Sequence, residues 1–276
     1  MSHRLRIDLA YDGSTFYGWA LQPGRPTIQG ALEDALAKVF RMEPGTLRTV
    51  VAGRTDSGVH ATGQVCHVDV PESVTSSQPA RILKRLRGAL GKGSGIWVAA
   101  VSRAPEGFDA RFSPLARRYE YRIADSLSSR DPRRVGYTLW IDDELDVDAM
   151  NQVGEQLLGV HDWASFCRAR PGATTIRDLQ RFVWHRGSDG GLVATVIADA
   201  FCHSMVRSLV GAAVAVGRGS LTVDQVISLR DAKTRTSAWK TLAAHGLTLC
   251  EVMYPHEDAL AARAAQTRAI RGAPLD

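Results

Sequence analysis

The chain has 276 residues, 45% apolar and 23% charged, enough for one large domain or two smaller ones and too ordinary in composition for wholesale disorder or a fibrous repeat. Lys and Arg number 34 against 29 Asp and Glu, a formal charge of +5, and 29 of the 34 are Arg, which fits a polyanion partner but is equally what GC-rich codon usage produces. No stretch reaches the roughly 20 apolar residues of a membrane span and the start, Met1-Ser2-His3-Arg4-Leu5-Arg6, has no apolar signal region, so a cytoplasmic protein is expected.

In chain order, residues 4–11 alternate apolar and polar side chains as a strand does and run into a turn at Asp12-Gly13-Ser14. Thr27 is placed to cap a helix in which Ile28, Ala31, Leu32, Ala35, Leu36 and Val39 recur at helical spacing. The β-branched run 49–52 and the alternation over 64–70 read as strands on either side of a loop at 53–58. From about Pro79 the pattern is a basic amphipathic helix. Ile82, Leu83, Leu86 and Leu90 share one face, with Arg81, Lys84, Arg85 and Arg87 around the other.

Pro105 and Gly107 mark a linker over 102–107, dividing the chain into domains 1–104 and 105–276. Beyond it, 117–123 alternates as a strand, 147–158 is helical, and 182–184 and 192–198 are strands around a glycine-rich turn. Residues 205–216 form an apolar helix closed by Gly217 and Gly219, and 223–230 form another. Strands and helices recur in each half with short connections. The expected fold class is therefore α+β: two similar domains with largely antiparallel sheets flanked by helices. Cys66, Cys167, Cys202 and Cys250 lie far apart, with no C-x-x-C pair and no His cluster at zinc spacing. They read as four reduced cysteines, with neither a disulfide scaffold nor a metal site.

The densest collection of reactive groups is Gly53-Arg54-Thr55-Asp56-Ser57-Gly58-Val59-His60-Ala61-Thr62-Gly63-Gln64. It gathers a carboxylate, a guanidinium, an imidazole and several hydroxyls in a loop between strands, where side chains can be held against a rigid sheet. No G-K-[ST] follows, so it is not a phosphate-cradling P-loop. Composition alone also fits an ordinary turn in which Asp56 bonds nearby amides. Arg207 interrupts an otherwise apolar helix. Buried, it needs a carboxylate or several acceptors, because arginine cannot shed its charge; at a helix edge it needs none. Along 117–123, Tyr119, Tyr121 and Ile123 share one strand face and Arg118, Glu120 and Arg122 the other. Both tyrosines suit a core, and Tyr119, flanked by arginines, also suits stacking on an unpaired base.

Together these pieces resemble the tRNA pseudouridine synthase A family. Tyr11-Asp12-Gly13 through Tyr17-Gly18-Trp19 is similar to its opening motif, G-R-T-D-S-G-V-H-A from Gly53 to Ala61 to its catalytic loop, and Arg118-Tyr119-Glu120-Tyr121 to its paired-tyrosine strand. Further matches are Phe108-Asp109-Ala110-Arg111-Phe112, residues 159–166, Met205-Val206-Arg207 with Val210-Gly211, Gly246-Leu247-Thr248-Leu249, and Tyr254-Pro255. The resemblance implies the pseudouridine synthase fold with an active-site cleft between two domains. It implies a homodimer that converts uridine to pseudouridine at positions 38, 39 and 40 in the anticodon arm of tRNA, without metal or organic cofactor.

Carried over residue by residue, Asp56 is the catalytic nucleophile, Arg207 its cationic partner, and Tyr119 the ring against the target base and a candidate proton acceptor. The residue types suit the chemistry: a carboxylate can add to C1′ of the ribose or assist elimination there, a guanidinium beside it favours its ionised form, and a ring confines a flipped uracil. Arg54, Arg111, Arg118, Arg81, Lys84 and Arg85 are the candidate RNA contacts. The chain departs from the family at Ala20-Leu21-Gln22, where Gln-x-Gln is typical, at 90–96, and at Ser204, where a histidine often stands; these positions bear on RNA docking. A second reading is a tRNA-binding or tRNA-folding protein of the same fold without catalysis. A glycoside hydrolase needs two carboxylates across the scissile bond, and the loop offers one.

Overall fold

The structure, a computed structural model, describes residues 2–72, 78–168 and 174–268. These fall into two compact units, 2–115 together with 249–268, and 116–248.

In the first unit the sheet order is β4 (Ile96–Arg103), β1 (Ser2–Tyr11), β3 (His60–Pro71), β10 (Leu247–Met253, whose last five residues belong here), with β2 (Thr49–Val51) also on β3. The pairs β1/β3, β1/β4 and β2/β3 are antiparallel. The expected alternation turns Leu5, Ile7 and Leu9 inward, each no more than 1% exposed. Helices α1 (Ile28–Phe40) and α2 (Pro79–Leu90) bury Leu32, Leu36, Ile82 and Leu86 completely, worth about 1.5–3 kcal/mol per side chain. Helix α1 begins at the expected Thr27 cap, whose hydroxyl accepts from the Gly30 amide at 3.2 Å. Its buried Glu33 accepts from the Thr49 amide at 2.8 Å, the Thr49 hydroxyl at 3.0 Å and Arg48 at 3.0 Å, which pins the start of β2 to the helix.

The boundary of this unit falls after Leu115 rather than at the expected linker. Residues 105–115 pack on β1 and β3: Arg4 donates to Phe108 O at 2.8 Å and the Ala110 amide to His67 Nδ1 at 3.0 Å. The chain also comes back to this unit after residue 248. Tyr254 donates to Ala110 O at 2.9 Å, Ser113 to Leu260 O at 3.2 Å, and Arg268 of α6 (Leu260–Arg268) pairs with Asp109 at 2.8 Å. A division of the chain into 1–104 and 105–276 therefore cuts through contacts that close the first unit.

In the second unit the order is β5 (Ala116–Ala124), β9 (Leu192–Ala198), β8 (Ile176–Arg186), β7 (Gly159–Asp162), antiparallel throughout, with the short β6 (Leu139–Trp140) parallel to β5. Helix α3 (Val147–Gln156) lies on β8. There the Asn151 amide accepts from Trp184 N at 2.7 Å and donates to Trp184 O at 3.1 Å. A Cβ on Gly154 would stand 2.4 Å from Phe182 O, so glycine permits that approach. Helix α4 (Met205–Gly217) is buried at every position except Arg207, and α5 (Val223–Asp231) starts from a Thr222/Gln225 capping box.

Both units are α+β with antiparallel sheets, as the sequence led us to expect. The four cysteines are not all reduced: Cys167 and Cys202 are joined in a disulfide, with Cα atoms 5.9 Å apart, across a sequence separation of 35. Cys167 ends a short turn of helix and Cys202 lies in the loop before α4, so folding brings together residues that share no motif. Cys66 and Cys250 are not in a disulfide.

Candidate active site

Asp56 is half-buried in the loop joining β2 to β3, and the segment 11–19 lies against that loop. The Trp19 amide donates to Thr55 O at 3.0 Å, the Gly13 amide to His60 Nδ1 at 3.1 Å, and the Val59 amide to Asp56 O at 3.1 Å. Two glycines make the approach feasible. A Cβ on Gly13 would lie 2.1 Å from Val59 O, and one on Gly18, at φ +84°, 2.7 Å from Thr55 O. The opening motif and the G-R-T-D-S-G-V-H-A loop, distant in sequence, are thus two halves of one support. Side chains hold the loop's entry as well. Tyr11 Oη lies 2.8 Å from Thr55 Oγ1, and Gln64 Nε2 donates to Tyr11 Oη at 3.1 Å and to Gly53 O at 2.8 Å.

In the second unit Tyr119 lies on β5 opposite Val196. It is 7% exposed, and its ring meets Phe201 edge to face at 5.1 Å. Its neighbours are fixed by charge: Arg117 donates to Asp199 O at 2.6 Å, and the Glu120 carboxylate accepts from Arg118 and Arg122, each at 2.9 Å. Tyr121 is a core residue as expected, fully buried, with its hydroxyl donating to Ala243 O at 2.7 Å. Burial pushes its phenol pKa well above the ordinary value.

Arg207 is half-buried on α4, and its Nε donates to Leu242 O at 2.6 Å while its own carbonyl accepts from the Leu242 amide at 3.2 Å. The strap 239–242 crosses α4 where Gly211 leaves room, since a Cβ there would be 2.0 Å from Lys240 O. Trp239 Nε1 adds a bond to Ser208 Oγ at 2.9 Å. Ser204, one of the departures from the family pattern, precedes the helix in the left-handed region at φ 64°, a conformation that costs a residue with a side chain about 1–3 kcal/mol.

Of the candidate RNA contacts, Arg81, Lys84 and Arg85 stand exposed on α2, and Arg54 and Arg111 are exposed on loops. Arg111 stacks on Phe112 at 5.0 Å. Arg118 is partly covered and engaged with Glu120. Arg87 is structural, lying 3.9 Å over the Trp97 ring and donating to Val98 O at 2.8 Å. The sequence offered no role for Tyr11, Thr55 and Gln64 beyond membership of motifs, nor for Phe201. For Tyr11 and Gln64 the available signal was a polar group at an inward-facing strand position; Thr55 and Phe201, on loops, carried none. Among the described residues, no three His, Cys, Asp or Glu side chains are gathered as a metal would need, and no helix is long and apolar enough to cross a membrane.

A family model described as tRNA pseudouridine synthase matches residues 154–255, a span that contains Arg207. A protein of Leifsonia xyli named tRNA pseudouridine synthase A is 51% identical, the match covering 97% of each chain. Its namesake in Streptomyces avermitilis is 49% identical over 98% of this chain and 95% of that one. A solved Cbf5-Nop10-Gar1 complex aligns with 76% of this chain and 54% of that chain at 12% identity and a TM-score of 0.32, too loose a match to bear on function.

Proposed function

The chain belongs to the tRNA pseudouridine synthase A family, and from that premise we propose that it isomerises uridine to pseudouridine at positions 38, 39 and 40 of the tRNA anticodon arm. The observation that carries the reading is identity near one half over almost the whole length of both chains, a span that includes the Asp56 loop. The net reaction breaks the bond from N1 to C1′, turns the uracil, joins C5 to C1′, removes the C5 proton and leaves a proton on N1, so no redox partner enters the balance.

Asp56 acts at the sugar, as a nucleophile on C1′ or by assisting elimination. Arg207 serves as its cation, and a guanidinium favours the ionised carboxylate through charge and hydrogen bonding. Tyr119 packs on the uracil once it is flipped out, which keeps the detached base from leaving before it rejoins, and is the candidate acceptor of the C5 proton. Arg81, Lys84, Arg85, Arg54 and Arg111 meet phosphates, and Arg118 does so by exchanging its carboxylate partner for one. If they act together, affinity falls with salt at a log–log slope of about −0.7 to −0.9 per phosphate neutralised. The protein acts in the cytoplasm as a homodimer.

The test is to incubate the protein with tRNA made without modifications and map pseudouridine by position. Pseudouridine at 38–40 is the expected result. A protein that binds this tRNA and forms none supports the second reading, a tRNA-binding or tRNA-folding protein; modification confined to other positions overturns the site assignment.

A further inference from the structure

We propose that Gln64, Tyr11 and Thr55 form a directed hydrogen-bond relay that sets the Asp56 loop in its reactive position, which makes Tyr11 a positioning residue of the reaction although it lies on a strand outside the loop. The direction follows from the donors and acceptors. Gly53 O can only accept, so the Gln64 side chain presents its NH2 group there at 2.8 Å, and the same group donates to Tyr11 Oη at 3.1 Å. With its oxygen accepting from Gln64, the phenol has one hydrogen to give, and Thr55 Oγ1 lies 2.8 Å away. All three residues are buried, at 0%, 5% and 6% exposure in relay order. Burial, opposed by these two hydrogen bonds, pushes the Tyr11 phenol up to about 12, so it stays a donor at neutral pH.

The relay grips the chain on both sides of Arg54, at Gly53 O and at the Thr55 side chain, and ties it to the adjacent strands β1 and β3, where Leu9 faces Gln64 and Tyr11 faces Ala61. Thr55 is held by its backbone too, through the Trp19 amide. The residue just before Asp56 is therefore fixed in both main chain and side chain. Phe at 11 and Val at 55 together would fill nearly the same volume with two fewer buried polar groups to satisfy. The hydroxyls add direction that apolar packing lacks, and a reacting group misplaced by about 1 Å can lose 10²-fold in rate.

The inference rests on the proposed role of Asp56. Its test measures kcat and KM for pseudouridine formation, and the melting temperature, in Tyr11→Phe, Thr55→Val, their double variant, Thr55→Ser and, in parallel, Asp56→Asn. We expect kcat to fall about 10- to 100-fold in each single variant with KM unchanged and the melting temperature lowered by only a few degrees, since one buried partner is left unsatisfied. The double variant should lose no more than either single, because the hydroxyls act as one unit, and Thr55→Ser should restore the rate. Wild-type kcat in both single variants beside an inactive Asp56→Asn overturns the relay alone, as does a change confined to KM or to melting temperature. Should Tyr11→Phe fail to fold, the contrast of Thr55→Val with Thr55→Ser decides. Full activity in Asp56→Asn removes the functional reading, and the relay with it.

Discussion

At the entry of the Asp56 loop the bonds come from uncharged groups, a phenol, an amide, a hydroxyl and main-chain donors, with the Asp12 carboxylate 3.2 Å from His60 Nδ1 beside them. The strand carrying Tyr119 is instead set among charges, with Glu120 shared by Arg118 and Arg122, Arg117 on Asp199 O, and, at the end of the same strand, Asp125 clasped by Arg186 at 2.8 and 2.7 Å. The contrast has physical consequences. Neutral bonds respond little to salt and leave no buried charge stranded when one partner is lost. Charged pairs fix a strand firmly when desolvated, and losing one partner then strands the other.

The comparison is broken most directly at Arg186. The Asp125 side chain is 0% exposed. Burial alone would raise its pKa, but Arg186 and the Ser128 hydroxyl outweigh that and hold the carboxyl below the ordinary value. Arg186→Ala strands a buried charge and should cost about 3–5 kcal/mol in denaturant unfolding; a cost under about 1 kcal/mol refutes the claim that charge holds this unit together.

Next in size is a pH effect that sharpens the contrast. His67 in the first unit is pushed down to about 4, by burial first and by the charge of Arg4 second, so it stays neutral in the fold while the unfolded chain protonates near its ordinary 6.5. In that window the unfolded state binds more protons, so stability is full above about pH 6.5 and falls as pH drops towards 4, by roughly 2–3 kcal/mol. Asp125 loses its contribution in the same direction but in a lower window. Its contribution is present above the ordinary 3.8 and is lost only as pH falls further. Unfolding curves between pH 7 and 4.5 should therefore flatten in His67→Gln and remain unchanged in slope in Asp125→Asn.

The smallest expected effect is at the partly exposed pair of Arg118 and Glu120. Arg118→Ala should change stability by no more than about 1 kcal/mol, so a fall in tRNA affinity measured in that variant reports an RNA contact rather than a damaged fold.

How much of this was legible depended on the range of the interactions. Period-two runs and helical spacing are local, so β1, α1, α2, α4 and α5 could be read directly, as could the Thr27 cap. The Asp56 loop was legible as a motif. What the sequence could not give were the links between distant residues. The first unit closes through Tyr254 and Ala110, 144 positions apart, which moved its boundary past the Pro and Gly of the expected linker. The pairing of Cys167 with Cys202 spans 35, and the relay joins Tyr11 to Gln64 across 53. Arg207 takes a backbone carbonyl, Leu242 O, and no side-chain pattern announces such an acceptor.

The central claim, that Asp56 carries the chemistry, is tested most directly by tritium release from tRNA labelled at C5 of uridine. The wild-type protein should release tritium, and Asp56→Asn should release none while binding the tRNA and melting as the wild type does. Full release by Asp56→Asn would contradict the account.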